Sequence, residues 1–130
     1  MNIKQEFKDN IYEGAIDYYK NKMNHSKALD YIVQHFFAIG EDPRNINWVM
    51  REGIWMPKNT DYLVFPDFIL GFANKQAVPV EYKSMKSHKD HALIQLESGK
   101  RFIKDVLGYD VPYSKFVWPV GNKYKFEVIK

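Results

Sequence analysis

The sequence predicts an α/β protein in which a mixed β-sheet is flanked by helices. Two observations lead to that reading. Apolar residues recur at helical spacing near the N-terminus and again between His88 and Leu107, whereas the stretches between and after them are rich in β-branched and aromatic residues and bounded by Pro, Gly and Asn. The resulting order is α-α-β-β-β-α-β-β. The helix that follows the third strand acts as a crossover, which sets the next strand parallel to its neighbour.

The first helix is predicted from about Gln5 to Met23, with Phe7, Ile11, Ala15 and Tyr18 on one face. Asn24-His25 is read as its break. Ser26 then caps a second helix with the stripe Leu29, Ile32, Val33, Phe36 and Phe37, closed by Gly40 and followed by Pro43. Ile46–Met56 reads as a strand ended by Pro57. Asp61–Phe72 and Ala77–Met85 read as two further strands. The intervening Ala73-Asn74-Lys75-Gln76 is a hairpin turn, because Asn tolerates the left-handed backbone of tight turns. Ser87 and Asp90 supply a capping box for a helix from His88 to Leu107, with Ala92, Leu93, Leu96, Ile103 and Leu107 buried and Gly108 at its end. Tyr113–Val120 and Tyr124–Ile129 form a last hairpin around Gly121-Asn122. Trp48, Trp55 and Trp118 alternate with apolar neighbours and read as core.

Composition bounds the function. The 130 residues are expected to form a single domain, with residues 1–24 adding a helix in front of the rest. A hydrophobic fraction of 45% and an aromatic fraction of 16% describe a packed globule. No apolar run approaches the ~18 residues of a membrane span, and the N-terminus lacks the apolar segment of a signal peptide, so a cytoplasmic protein with no membrane partner is expected. Cysteine is absent, which excludes disulfides, thiolate-held zinc and iron–sulfur clusters. The net charge of +3 permits a polyanionic partner. Six of the basic residues fall between Lys83 and Lys104 against two acids, and His88 and His91 add latent charge.

Pro66-Asp67 is followed fourteen residues later by Glu81-Tyr82-Lys83. A hairpin centred on Asn74 places Asp67 and Glu81 directly opposite each other, where like charges repel. Lys83, two residues on, shares the Glu81 face of its strand. Two carboxylates and an ammonium thus converge on one point, the layout of a divalent-metal site with a charged neighbour for a reacting water. Taken alone, Glu81 and Lys83 read equally well as a surface salt bridge; Asp67 opposite them shifts the balance toward a site.

The run Pro66-Asp67, Val80-Glu81-Tyr82-Lys83-Ser84 and then Gln95 resembles the PD-(D/E)xK nuclease superfamily, most closely its virus-type replication-repair nucleases and archaeal resolvases. The resemblance covers roughly residues 26–120 and implies a restriction-endonuclease-like fold with an α-β-β-β-α-β core. It implies a Mg²⁺- or Mn²⁺-dependent DNA nuclease in which Asp67 and Glu81 ligate the metal and the Tyr82 carbonyl is a further ligand. Lys83 then orients the water and stabilises developing charge, and Gln95 helps to position water or substrate. An acid from the leading helix completes such sites; Glu13 is the first choice here and Asp30 the second. Arg51 occupies a strand position that could hold a phosphate or equally an exposed ion pair. Lys86, Lys89, Lys100 and Lys104 are expected to contact DNA phosphates. Many such nucleases act as dimers, so a homodimer is an expectation too. Two rival readings remain: an inactive nucleic-acid-binding module on the same fold, and an unrelated α+β interaction protein. The four histidines show no zinc-ligand spacing, and no P-loop, dinucleotide-binding glycine pattern or serine or cysteine nucleophile is present.

Overall fold

A computed structural model describes residues 24–52 and 65–130. Residues 24–34 are helical (α1) and pass into a 3₁₀ turn at Phe36–Ile39. Gly40 ends the run at φ 76°, a left-handed conformation that costs Gly little. Five strands follow, β1 (Trp48–Arg51), β2 (Phe68–Phe72), β3 (Gln76–Tyr82), β4 (Ser114–Val120) and β5 (Lys123–Ile129). The helix α2 (Lys89–Phe102) lies between β3 and β4 and continues into a wider π-type turn at Ile103–Leu107. Gly108 stops it, as expected, at φ 68°. The predicted first helix, Gln5–Met23, lies outside the described residues, as do Trp55 and Glu13.

The sheet order is β1-β2-β3-β4-β5. The β3–β4 pair is parallel and the other three are antiparallel, so α2 makes the crossover foreseen from the element order. Phe68 pairs with Val80 and Phe72 with Gln76, leaving Ala73-Asn74-Lys75 as the loop with φ 63° at Asn74 and 55° at Lys75. The hairpin is therefore centred on Asn74. That register is the one the site argument requires.

One face of the sheet carries Phe68, Leu70, Val78, Val80 and Val117 against Leu29, Ile32, Phe36 and Ile39. The other face meets α2 and its continuation, where Ile69 and Ala77 pack with Phe102 and Ile103, and Phe116 and Trp118 pack with Ala92 and Leu96. Each fully buried Phe, Ile or Leu stabilises by ~1.5–3 kcal/mol. Such packing offsets the cost of the charged groups buried beside it. Lys115 of β4 is one of these, and its Nζ donates to Ile39 O at 2.8 Å and to Glu41 Oε1 at 2.7 Å. The same Glu41 oxygen accepts the Tyr113 hydroxyl at 2.7 Å, tying β4 to the turn that follows α1.

Three local expectations are corrected. Asn24 and His25 belong to α1, and Ser26 is inside it and not its cap, because the buried stripe of Leu29, Ile32 and Phe36 extends back one turn to His25, which has its own partner on the sheet. Val33 and Phe37, assigned to that stripe, are exposed. The Ser87–Asp90 capping box does not form. The chain enters α2 already coiled through a 3₁₀ turn at Lys86–His88, with the His88 N–H donating to Met85 O at 3.1 Å, and no side chain caps the helix. Strand ends also move: β1 begins at Trp48 and ends at Arg51, the last part of the expected Ile46–Met56 strand (residues 53–56) lying outside the described residues, and β3 stops at Tyr82, short of Met85.

Candidate metal centre

Asp67 stands one residue before β2 and is 1% exposed, and Glu81, in β3, is 0% exposed. The Asp67 N–H donates to Glu81 Oε1 at 3.0 Å, and the Tyr82 N–H donates to Asp67 Oδ2 at 2.8 Å. The hairpin register and these two bonds fix the carboxylates against each other. Lys83 Nζ approaches Glu81 Oε2 to 3.4 Å, a contact that falls short of hydrogen-bond geometry. Asp67, Glu81 and Lys83 thus meet as their spacing implied.

The β1–β2 register carries the row one strand further. Arg51 pairs with Phe68, and the Glu52 N–H donates to the Asp67 carbonyl at 2.9 Å, so Glu52, Asp67 and Glu81 lie in line across three strands. From α1, His25 Nε2 lies 2.9 Å from Asp67 Oδ1, its ring tilted against Tyr82 with centroids 5.8 Å apart. His25, Glu52 and Asp67 each offer a ligand atom, and these lie within 4.8 Å of one another. One imidazole and two carboxylates make a donor set of a kind that can hold a divalent cation; Glu81 is not among the three, and its Oε2, which lacks a hydrogen bond, lies 3.4 Å from Lys83 Nζ.

The protonation pattern points the same way. Burial, reinforced by the neighbouring Asp67, pushes the Glu81 carboxyl up to about 10, so it holds a proton at neutral pH. Burial would raise Asp67 as well, but hydrogen bonds with His25 and Glu81 outweigh it and hold Asp67 below its ordinary value. The bond to Asp67 raises His25 above its ordinary value. Glu52 is raised by partial burial and by its carboxylate neighbour Asp67. A proton shared among carboxylates is the state expected of clustered acids that lack a cation.

Gln95 reaches the same region from α2. A Cβ at Gly99 would stand 2.7 Å from Pro66 Cγ and 3.0 Å from Pro79 Cβ, so a glycine there lets the helix close onto β2 and β3. One turn earlier, Gln95 Nε2 donates to Phe65 O at 3.4 Å, two residues from Asp67. Its Oε1 and Glu81 Oε2 are the two buried side-chain oxygens without a hydrogen-bond partner among the described residues.

Two cavities border the site on the Lys83 side, touching His25 and Lys83 but neither of the buried carboxylates. A cavity of about 340 Å³ is lined by Asn24, His25, Tyr82, Lys83, Ser84 and His88, and a second of about 250 Å³ by Lys83, His88 and His91. A larger cavity of about 460 Å³ includes Asn74, Gln76 and Tyr113, at the hairpin end of β2 and β3, and shares no residue with the site.

The remaining expected residues scatter. Arg51 pairs with Asp30 and donates to Ser26 O at 3.3 Å. It therefore anchors α1 next to His25, and Asp30, the second choice for the third acid, is exposed and paired with Arg51. Lys86 lies 5.3 Å from the Trp118 ring centre, and Lys89 pairs with Glu127 at 2.9 Å. Both are near the start of α2, at the site end of the sheet. Lys100 and Lys104 follow eleven and fifteen residues after Lys89, which puts them roughly 16–22 Å further along the helix direction.

His25 and Glu52 were not foreseen as site residues. His25 carries a readable signal, since it precedes Leu29 and Ile32 by four and seven residues on their own helical stripe. Glu52 carries none, because no short turn joins its strand to β2 and fixes the register. No protein-family model matches the chain, and no significant match was found among curated proteins or solved structures.

Proposed function

We propose that the chain is a divalent-metal-dependent DNA nuclease of the PD-(D/E)xK type, with that superfamily's restriction-endonuclease-like core. The observation that carries the reading is the pair of buried, facing carboxylates, Asp67 and Glu81, with Lys83 at 3.4 Å and a Glu81 oxygen left unpartnered. Two buried carboxyls in contact can both ionise only when a positive charge joins them, and without one Glu81 keeps its proton. Asp67 and Glu81, with His25 or Glu52 as the third donor, would hold Mg²⁺ or Mn²⁺. When bound, such an ion lowers the pKa of a water and counters the charge of a pentacovalent phosphate.

The protein's own groups do the rest. The Tyr82 N–H fixes one oxygen of Asp67 and His25 the other, so the carboxylate cannot rotate. Lys83 presents a cation to the lined cavity beside Glu81, where negative charge on a phosphate would develop. The free Oε1 of Gln95 is an acceptor for a water or a substrate group. Hydrolysis then forms a bond from water oxygen to phosphorus, breaks the opposite P–O bond, and delivers the water proton to solvent or the leaving oxygen.

The test is a gel assay on linear, circular and four-way-junction DNA with Mg²⁺ or Mn²⁺. Cleavage of at least one substrate is expected, abolished by chelator and by Asp67→Asn, Glu81→Gln or Lys83→Gln. Metal binding without cleavage of any DNA would leave an inactive binding module, and absence of both would sink the assignment.

A further inference from the structure

The outer side of β5 pairs with no strand among the described residues, so its backbone groups form an open sheet edge. Edges of this kind recruit another strand unless charge, Pro or a bulge prevents it. β5 has no Pro or bulge, and its charges are arranged in a particular way. Phe126 is its central residue, flanked by Lys125 and Glu127 and then by Tyr124 and Val128. Phe126 and Val128 are 42% and 43% exposed. Side chains alternate, so Tyr124, Phe126 and Val128 share one face and Lys125 and Glu127 the other.

We infer that β5 pairs antiparallel with β5 of a second copy, about a two-fold axis at Phe126. In that register Phe126 meets Phe126, Tyr124 meets Val128, and Lys125 meets Glu127, twice each for the last two by symmetry. The five central positions pair apolar with apolar or positive with negative, and such pairs stabilise an antiparallel ladder, while the end residues Lys123 and Ile129 face each other without such a match. Centring the pair one residue away would set Lys125 on Lys125 or Glu127 on Glu127, so the charges select one register. Lys89 occupies Glu127 Oε1, which leaves Oε2 for the Lys125 of the other copy. The product is one ten-stranded sheet built from two of five, with both α2 helices on the same side. A single strand pair lies at the small end of stable interfaces, below ~1,200 Å² in total, so association should depend on concentration. This inference is independent of the nuclease reading.

Sedimentation equilibrium of the full chain tests it. The wild-type mass should rise with concentration from 15.4 kDa toward twice that value. Lys125→Glu places Glu against Glu, and Glu127→Lys places Lys against Lys, so each alone should weaken the dimer at least tenfold. An equimolar mixture of the two variants should recover it as a heterodimer, since both cross-strand pairs are then opposite in charge. The double variant K125E/E127K should dimerise as the wild type does. Thermal melts show whether the single variants fold; if one does not, the double variant decides. A monomeric wild type, single variants that dimerise normally, or a monomeric double variant would each overturn the inference.

Discussion

Asp67 and Glu81 face each other across the β2–β3 hairpin, joined by the Asp67 N–H to Glu81 Oε1 bond of 3.0 Å, and both side chains are sealed from solvent. Burial and the Asp67 charge push Glu81 up to about 10 from an ordinary value near 4.5. Between those values the folded protein holds a proton that the unfolded chain has released. Stability of the metal-free protein must therefore fall as pH rises, by up to about 1.4 kcal/mol per unit. His25, also raised, adds the same sign: its contribution is present below its unfolded pKa and is lost as pH climbs through the folded one. Asp67, lowered, acts oppositely and only at acid pH, below about 4. Thermal melts with chelator between about pH 5 and 9 should show this decline, and Glu81→Gln should remove more than half of it. An unchanged slope in that variant would mean Glu81 is ionised in the folded state.

Replacing the carboxylates and the lysine should separate binding from chemistry. Asp67→Asn and Glu81→Gln are expected to lose both Mn²⁺ binding, measured by calorimetry on the metal alone, and DNA cleavage. Lys83→Gln should keep most of the metal affinity and lose cleavage by roughly 10²-fold or more, the usual loss when a group stabilising transition-state charge is removed. Retained cutting in Lys83→Gln would limit that lysine to its contact with Glu81.

His25 should set the choice of metal. Mg²⁺ favours an all-oxygen shell, whereas an imidazole is better tolerated by the softer Mn²⁺. The native site is expected to prefer Mn²⁺, and His25→Asp should narrow or reverse that preference. His25→Ala should weaken Mn²⁺ binding roughly tenfold or more, whether the ring ligates directly or orients Asp67 from 2.9 Å. Equal Mn²⁺ affinity in wild type and His25→Ala would remove the histidine from the site.

The legible and illegible portions of this site differ in how their spacing is set. Asp67 and Glu81 were readable because a three-residue loop with positive φ at Asn74 and Lys75 fixes the register between their strands, and a one-residue slip would reverse every side chain. Lys83 and Tyr82 came with them, since both follow Glu81 directly in the same stretch of chain. Glu52 sits in the same row, yet its strand is joined to β2 through residues 53–67, too long a connection for spacing to set the pairing. His25 was missed for another reason: Asn24-His25 has the composition of a helix end, and local propensity was outweighed by the hydrogen bond to Asp67. Lys115 shows the limit of binary patterning. A lysine in a central strand reads as solvent-facing, but it is buried here because Glu41 and the Ile39 carbonyl, over seventy residues away, supply its partners.

That buried pair is expected to matter for stability alone. Lys115→Met leaves Glu41 without its ammonium partner, and uncompensated buried charge costs about 3–5 kcal/mol. Adding Glu41→Gln should recover a large share of the loss, as denaturant titration of the two variants would show. Equal destabilisation by the single and double changes would mean that the cost is packing and not charge.

The basic residues give the last test, because the helix divides them by position. Lys86 and Lys89 stand at the site end of the sheet, whereas Lys100 and Lys104 lie roughly 16–22 Å further along the helix direction. DNA seated with a phosphate at Lys83 passes over the start of α2 first. Binding by catalytically dead protein should weaken with salt, and removing one phosphate-binding cation should flatten the slope of log K against log salt by about 0.9. Lys86→Gln and Lys89→Gln should therefore each reduce the slope by nearly one unit, although Lys89 also gives up its bond to Glu127. Lys100→Gln with Lys104→Gln should change it by less than half a unit for the pair. A larger effect from that distant pair would lay the DNA along the full length of α2. An unchanged slope in all four would take the nucleic acid off this face of the protein.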